Sequence, residues 1–353
     1  MPTARSLHIG MVAPPWFKMP PSGYGGIEWM LYWLVEGLTR RGHEVTLVGA
    51  GDSRTSARFI QTYEQAPSER IGEPFPEVVH AAAAWEALHD ARVDLVHDNS
   101  LAGPLLAAGR GVPTVVTAHG PVDGEIGQFY RLLSPIVSLV AISDAQRRIA
   151  PDLSWVGTVH NCIPVDEYPF RDQKEDFAVW LGRMNPEKAP HLAIEAARSA
   201  GMPLVLAGKC SEPAEKEYFE REIAPRLGDG IHWTGEADTE RKKDLLARAR
   251  CFVFPIQWEE PFGIVMVEAL ACGTPVVALR AGSVPEVVVE GATGFIRDDP
   301  AELPEAMRAV GQLDSRECRR RAEEHFSVPA MVSGYEIVYR KVLDRSPSGK
   351  VAE

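Results

Sequence analysis

Long hydrophobic runs are missing from this sequence. The most apolar stretch beyond the first strand, Leu132 to Ile142 (LLSPIVSLVAI), is broken by Ser and Pro. It falls well short of the roughly 20 apolar residues that span a bilayer. The amino terminus, MPTARSLHIGMVAPPW, has one Arg and a short apolar run containing His8 and Gly10, which reads as a first strand and not as a secretory leader. Cysteine is scarce: Cys162, Cys210, Cys251, Cys272 and Cys318 are odd in number, far apart and without metal-ligand spacing. That argues against a disulfide framework or a metal site and for structural thiols in a reducing compartment. Positive charge is in deficit, with 37 Lys and Arg against 49 Asp and Glu for a net charge of −12. A broad nucleic-acid surface or a general attraction to anionic lipid is disfavoured. No short-period repeat or low-complexity tract occurs. These absences together point to a cytoplasmic protein with no transmembrane segment and no nucleic-acid partner.

What is present is a chain of 353 residues, 45% hydrophobic and 24% charged, long enough for two cores. Leu7–Val12 is a short apolar run. A breaker-rich loop, APPWFKMPPSGYGG, follows to Gly26, and then a helix with apolar positions at Ile27, Leu31, Leu34, Val35 and Leu38. Gly42 ends that helix and Glu44–Val48 begins the next strand, a strand-helix-strand unit that predicts a parallel sheet. Further strands are expected at Leu95–His97, Thr114–Thr117, Leu139–Ile142 and Thr158–His160, with helical segments at Val78–His89, Gly103–Arg110 and Asp144–Ile149.

The stretch Pro164 to Lys174, PVDEYPFRDQK, has two prolines, many charges and no periodicity, and reads as a linker. The alternation then begins again. Strands are expected at Phe177–Leu181, Pro203–Ala207, Ile231–Thr234 and Cys251–Pro255, and helices at Lys188–Ser199, Glu212–Leu227 and Glu240–Arg248. Pro300 to Val342 is helical in pattern, and the tail SPSGKVAE after Arg345 is expected to fray. The fold class is α/β, two doubly wound parallel-sheet domains. Their expected extents are 1–165 and 166–330, with 331–353 a terminal helix and tail packing back on the first domain. Domains of this kind bind ligands at the carboxyl ends of their strands, so a central cleft between the two is expected to hold the site.

The stretch from Phe254 to Glu290, FPIQWEEPFGIVMVEALACGTPVVALRAGSVPEVVVE, carries the densest chemistry. Glu260 precedes a helix that Pro261 is expected to open, and Glu268 lies about two turns further along it. Between them the amides of Phe262, Gly263 and Ile264 are expected to form a helix N-terminus, with unpaired donors and partial positive charge, that holds a polar or anionic ligand. Gly273 and Pro275 stop the helix.

Other candidates follow strands too. Gly25 and Gly26 open a helix after the first strand, so their amides can approach a phosphate closely. A dinucleotide fingerprint is a poor match there, because about a dozen residues intervene and the third Gly of G-x-G-x-x-G is missing. Arg183 and Lys188, in LGRMNPEK, are two cations across a turn that can clasp a diphosphate, one as a planar fork and one as a point charge. His119 ends the strand-like run TVVTAHG, a position that favours function over a merely structural histidine. Ser143–Asp144 reads as a helix cap.

The Glu260 to Glu268 string, with its intervening Phe-Gly and its ACGTPVVA continuation, resembles the donor-site signature of family 4 glycosyltransferases with the GT-B fold. That resemblance extends from Gly25 to Phe295. It implies a retaining enzyme moving a hexose-type sugar from a UDP- or GDP-linked donor to a small-molecule, glycan or lipid-linked acceptor, with no cofactor and no metal, and no DxD-like pair stands where one would hold a metal. By resemblance Arg183 and Lys188 bind the diphosphate. Glu260 and the Phe262–Gly263–Ile264 amides hold sugar hydroxyls, and Glu268 takes both ribose hydroxyls. Gly235–Glu236 line the base, Gly25–Gly26 touch diphosphate and acceptor, and His119 positions the sugar. The leaving phosphate takes the acceptor's proton. The acceptor is expected around Pro14–Gly25 and Pro121–Arg131.

Two departures stand out. Ala189–Pro190 follow Lys188 where the family commonly has Gly, and Cys162 replaces the Gly of an Asn-Gly-Ile-Asp turn. A sugar-nucleotide epimerase or phosphorylase of the same fold is the alternative enzyme reading. A bilobal sugar-binding protein is the non-enzyme one.

Overall fold

Seven parallel strands in the order β3-β2-β1-β4-β5-β6-β7 form the first sheet. The computed structural model describes residues 5–22, 25–89 and 91–345. Gly23 and Tyr24 of the Gly-rich loop, and the tail SPSGKVAE, lie outside the described residues. The first unit contains β1 (His8–Val12), α1 (Gly26–Arg40), β2 (Glu44–Ala50), β3 (Arg58–Tyr63), α2 (Pro74–His89), β4 (Leu95–Asp98), β5 (Thr114–Ala118), α3 (Gly124–Leu133), β6 (Ser138–Ala141), α4 (Asp144–Ile149) and β7 (Trp155–Thr158). Its central strands are buried along nearly their whole length, as expected of a parallel sheet covered on both faces. Ser143 caps α4, accepting the Gln146 amide at 3.1 Å.

The second unit holds β8 (Ala178–Leu181), α5 (Pro190–Ala200), β9 (Leu204–Ala207), α6 (Pro213–Tyr218), β10 (Ile231–Trp233), α7 (Thr239–Arg248), β11 (Cys251–Phe254), α8 (Ile264–Ala271), β12 (Val276–Leu279), α9 (Val284–Val287), β13 (Gly294–Arg297), α10 (Leu303–Ala309) and α11 (Ser315–His325). Its six strands run β10-β9-β8-β11-β12-β13, again all parallel. The order reverses beside β1 in the first sheet and beside β8 in the second, the switch points at which doubly wound sheets bind ligands.

The first compact unit comprises residues 1–161 and 328–353, and the second residues 162–327. The C-terminal helix, Val328–Arg345, thus belongs to the first unit. It buries Val332, Val338 and Val342, worth about 1.5–3 kcal/mol each on area grounds. Its polar ties are equally specific. Tyr339 Oη meets His97 Nδ1 at 2.8 Å, Tyr335 Oη meets Thr117 Oγ1 at 2.9 Å, and Glu336 accepts Arg41 at 2.6 Å. Among the described residues no helix is long and apolar enough to cross a membrane.

Several expected elements differ from those observed. The seventh strand lies at Trp155–Thr158, earlier than expected. The long helix expected over Glu212–Leu227 is a contiguous helical run of three kinds, α6, a π-helical stretch Phe219–Ile223 and a 3₁₀ turn Ala224–Arg226, the last containing Pro225, which has no N–H to continue an α-helix. The helical segment expected at Gly103–Arg110 is present as a 3₁₀ helix, Gly103–Gly109. The supposed linker is packed structure: Tyr168 is buried, and Lys174 Nζ donates to the Ala247 and Cys272 carbonyls and to Thr274 Oγ1 at 2.8–2.9 Å.

Candidate active site

The loops after β8 and β11 leave the second sheet side by side at its switch point. Lys188 comes from the first and Glu260 from the second. The backbone joins them, with the Gln257 amide donating to the Glu187 carbonyl at 2.8 Å. The side chains meet directly: Lys188 Nζ forms an ion pair with Glu260 Oε2, and both are largely buried. Trp258 closes the group. Its indole N–H donates to the same carboxylate oxygen at 3.1 Å, and Lys188 Nζ lies 5.2 Å from its ring centroid. The segment Gly282–Ser283 fixes Glu260 from behind, the Ser283 amide donating to its carbonyl at 3.0 Å while the Gly282 amide binds Glu259 at 2.8 Å.

Lys188 ends a 3₁₀ turn, Pro186–Lys188, that Asn185 caps by accepting the Lys188 amide at 2.9 Å. Ala189 follows at φ 48°, ψ 49°, in the left-handed region. The site thus keeps the backbone conformation that suits Gly, although Ala occupies it. Arg183 stands on the same loop, half exposed, 3.9 Å from Glu215 Oε1. The Glu215 side chain is buried. Its other oxygen accepts the amides of Ser211 and Glu212 at 3.0 and 3.2 Å, while Oε1 has no hydrogen-bond partner among the described residues.

Pro261 does not open α8, and this corrects the sequence reading. The helix begins at Ile264, with Gly263 as its N-cap at φ 68°. A left-handed residue cannot continue a right-handed helix, so Pro261–Gly263 is a turn. Phe262 therefore precedes the helix, its ring buried and its carbonyl accepting Ser283 Oγ at 2.7 Å. Only the Ile264 amide of the three belongs to the helix itself. A side chain at Gly263 would meet Met266 at 2.7 Å in addition to the positive φ.

Glu268 is buried within α8 and is no solvated helix residue. Its Oε1 accepts Tyr168 Oη at 2.8 Å and Lys242 Nζ at 2.5 Å. Its Oε2 is buried and has no hydrogen-bond partner among the described residues. A buried carboxylate oxygen left open in this way is costly unless something else donates to it. Gly235 lies after β10, its carbonyl accepting the Gly208 amide at 2.9 Å, with Glu236 beside it.

In the first unit His119 follows the carboxyl end of β5, half-buried, its Nε2 2.9 Å from Asn99 Oδ1. The Asn99 amide nitrogen faces the Val12 and His97 carbonyls at 3.3 and 3.4 Å, which orients Oδ1 toward His119. An oxygen acceptor requires N–H on Nε2, leaving the lone pair on Nδ1. Burial holds the ring neutral by pushing its pKa down to about 4. Both residues line a cavity of about 400 Å³. Gly25 is the N-cap of α1 at φ 141°, and Gly26 is its first residue. A Cβ at Gly25 would meet Pro21 at 2.9 Å. Glu28, one residue into the helix beyond Ile27, is buried, and burial raises its pKa to about 7.

The sequence thus names Lys188, Glu260, Glu268 and His119, and the structure adds what holds them. Trp258 was not singled out, although it stands two residues before Glu260 in WEEPFG. Tyr168, Lys242, Glu215 and Asn99 carried no local signal, since each meets its partner only through the tertiary fold.

Comparison with known proteins bears on both units. A model described as "Glycosyltransferase Family 4" matches residues 24–167, and one described as "Glycosyl transferases group 1" matches residues 166–325. The chain is 28% identical to alpha-maltose-1-phosphate synthase of Mycobacterium tuberculosis over 390 residues, covering 92% of this chain and 97% of that protein. Among solved structures, AviGT4, a glycosyltransferase involved in avilamycin A biosynthesis, is 27% identical with a TM-score of 0.72, over 96% of this chain and 99% of that one. Anabaena HepE, solved in complex with UDP and glucose, shares the fold at 18% identity with a TM-score of 0.71, over 95% and 99% of the two chains. With a parallel Rossmann-like sheet in each of two units and a family match across both, the chain belongs to the group 1 glycosyltransferases of family 4 and has their GT-B fold.

Proposed function

We propose that the enzyme transfers a hexose-type sugar from a UDP- or GDP-linked donor to an acceptor hydroxyl with retention and without a metal ion or cofactor. The observation that carries this reading is the pairing of Lys188 with Glu260 at the β8–β11 switch point. A cation there faces a departing diphosphate and a carboxylate faces sugar hydroxyls. Arg183, on the same loop, adds a second cation. Glu268 receives the ribose through Oε2, the oxygen that its protein partners leave open. This narrows its role to one strong acceptor where two were expected. Gly235–Glu236 border the base, and Phe262, Gly263 and Ile264 border the sugar. In the first unit His119 positions the sugar as a neutral ring, and Gly25–Gly26 offer amides to the diphosphate. HepE, solved with UDP and glucose, supports a nucleotide-sugar donor.

In the reaction the bond from the anomeric carbon to the leaving phosphate oxygen breaks. The acceptor oxygen bonds to that carbon from the same face, and its proton passes to the departing phosphate. The positive side chains and the amide dipoles stabilise charge that grows as the diphosphate leaves, the role a metal plays elsewhere. Glu260 acts by holding the sugar and forms no covalent bond.

The test is calorimetry and thermal shift with a panel of nucleoside diphosphate sugars, followed by nucleotide release with and without acceptors. Release that depends on an acceptor is the expected result. Release without one indicates an epimerase, consumption of phosphate a phosphorylase, and binding with no turnover a binding protein. A glycosyl adduct on Glu260 in intact-mass spectra would overturn the single-face mechanism.

A further inference from the structure

The first unit contains a cavity of about 400 Å³ whose walls come from that unit alone. It lies at the carboxyl ends of β1, β4 and β5, and α3 closes one side. Its size falls within the range of about 300–1,000 Å³ typical of small-molecule sites. Trp16, Pro104, Ile126 and Phe129 make much of the wall apolar, and Leu101, 55% exposed, carries that character to the mouth.

Among the described residues no Lys or Arg lines the cavity. The nearby guanidinium of Arg110 is buried against Asp98, and that of Arg131 is paired with Asp152. The ionisable lining groups are Glu77, His119 and Tyr130. Burial pushes the Tyr130 hydroxyl up to about 12 and the His119 ring down to about 4, so both are neutral near pH 7. Glu77 is the remaining one, a buried carboxyl whose Oε2 accepts the Leu101 and Ala102 amides at 3.0 and 3.4 Å. A phosphate entering this space would lose its water, find no cation and face a carboxyl oxygen. Such an arrangement selects by repulsion as well as by fit. His119 Nδ1 carries a lone pair, which suits a hydroxyl donor and not an anionic oxygen.

We infer that this cavity receives the acceptor as an uncharged alcohol with an apolar, ring-sized body, and that it excludes phosphorylated acceptors. The assignment deepens the transferase reading and rests on it.

The experiment is calorimetry on the full chain with 1-naphthol, glucose 1-phosphate and maltotriose, together with separate titrations of UDP and GDP. We expect 1-naphthol to bind, and Ile126→Arg to weaken it at least tenfold while UDP or GDP affinity is unchanged. Leu101→Asp is a second variant at an exposed position, expected to weaken 1-naphthol severalfold with an unchanged melting midpoint. Tighter binding of glucose 1-phosphate or maltotriose than of 1-naphthol overturns the inference, as does 1-naphthol affinity indifferent to both substitutions. Failure of every nucleotide to bind while 1-naphthol binds as expected overturns the transferase reading and the acceptor role. It leaves the cavity's preference for a neutral apolar alcohol upheld.

Discussion

Lys188 and Glu260 form an ion pair across the switch point of the second sheet, each delivered by a different strand's exit loop. On the proposed reading, the pair ties the cation that meets a diphosphate to the carboxylate that meets a sugar. Removing either partner therefore changes what the other presents. Lys188→Ala deletes a charge-assisted contact and exposes the donor phosphates to an unneutralised Glu260. The expected loss in nucleoside diphosphate affinity is about 10–100-fold, from roughly 1.5–3 kcal/mol. Glu260→Gln frees Lys188, so diphosphate affinity is expected to hold or tighten while kcat falls on the order of 10²–10³-fold. Parallel calorimetry and initial rates measure both. Equal loss of affinity in the two variants would contradict the division of roles.

Glu268 is the second anchor. Tyr168→Phe removes the hydroxyl that reaches its Oε1. The lysine remains, so the expected cost is about 1 kcal/mol in urea unfolding. Lys242→Ala removes the one cation paired with that carboxylate among the described residues and is expected to cost more, about 2–3 kcal/mol. Glu268→Gln is expected to weaken nucleoside binding with little effect on binding of inorganic diphosphate, which a competition titration resolves.

Ala189 occupies left-handed backbone at the start of α5. Left-handed conformation costs an L-residue about 1–2 kcal/mol, whereas Gly adds about 0.4–1 kcal/mol of unfolded-state entropy. Ala189→Gly is therefore expected to stabilise slightly, by about 0.5 kcal/mol. An increase in the urea midpoint without a change in slope is the observable.

Three groups set opposing pH dependences. His97 and His119 have pKa values lowered by burial to about 3 and about 4, from 6.5. Protons bind the unfolded histidines first, so these groups remove stability as pH falls from about 6.5 toward 4. Glu28 is raised by burial from 4.5 to about 7, so its contribution is present below pH 4.5 and is lost as pH rises through 7. Glu28→Gln is expected to stabilise the protein at pH 8 relative to the parent and to do little at pH 4.5. Urea midpoints at the two pH values give the sign directly.

The chain showed its fold best where burial is two-sided. Ala178–Leu181 and Cys251–Phe254 are continuous apolar runs, buried at every position, and were readable as strands. Strand β3, Arg58–Tyr63, was missed because an edge strand half open to solvent has polar residues at Arg58, Gln61 and Thr62. Helix α3 was missed because Gly124 and Gly127 interrupt GEIGQFYRLL, and both glycines discourage a helical reading. In the site, Glu260 and Glu268 lie within one short string, whereas Glu268's partner Tyr168 is 100 residues away in a stretch that reads as linker. Charge and spacing announce a ligand-facing group. They do not announce the group that holds it.

The C-terminal helix has a consequence for how this protein is made. Residues 328–345 complete the first unit, with Tyr339 on His97 and Tyr335 on Thr117. A ribosome delivers the second unit, 162–327, whole before the first can close. The earlier-made sheet must wait for its last helix, and the buried His97 and Thr117 gain their tyrosine partners only after the whole second unit has been made.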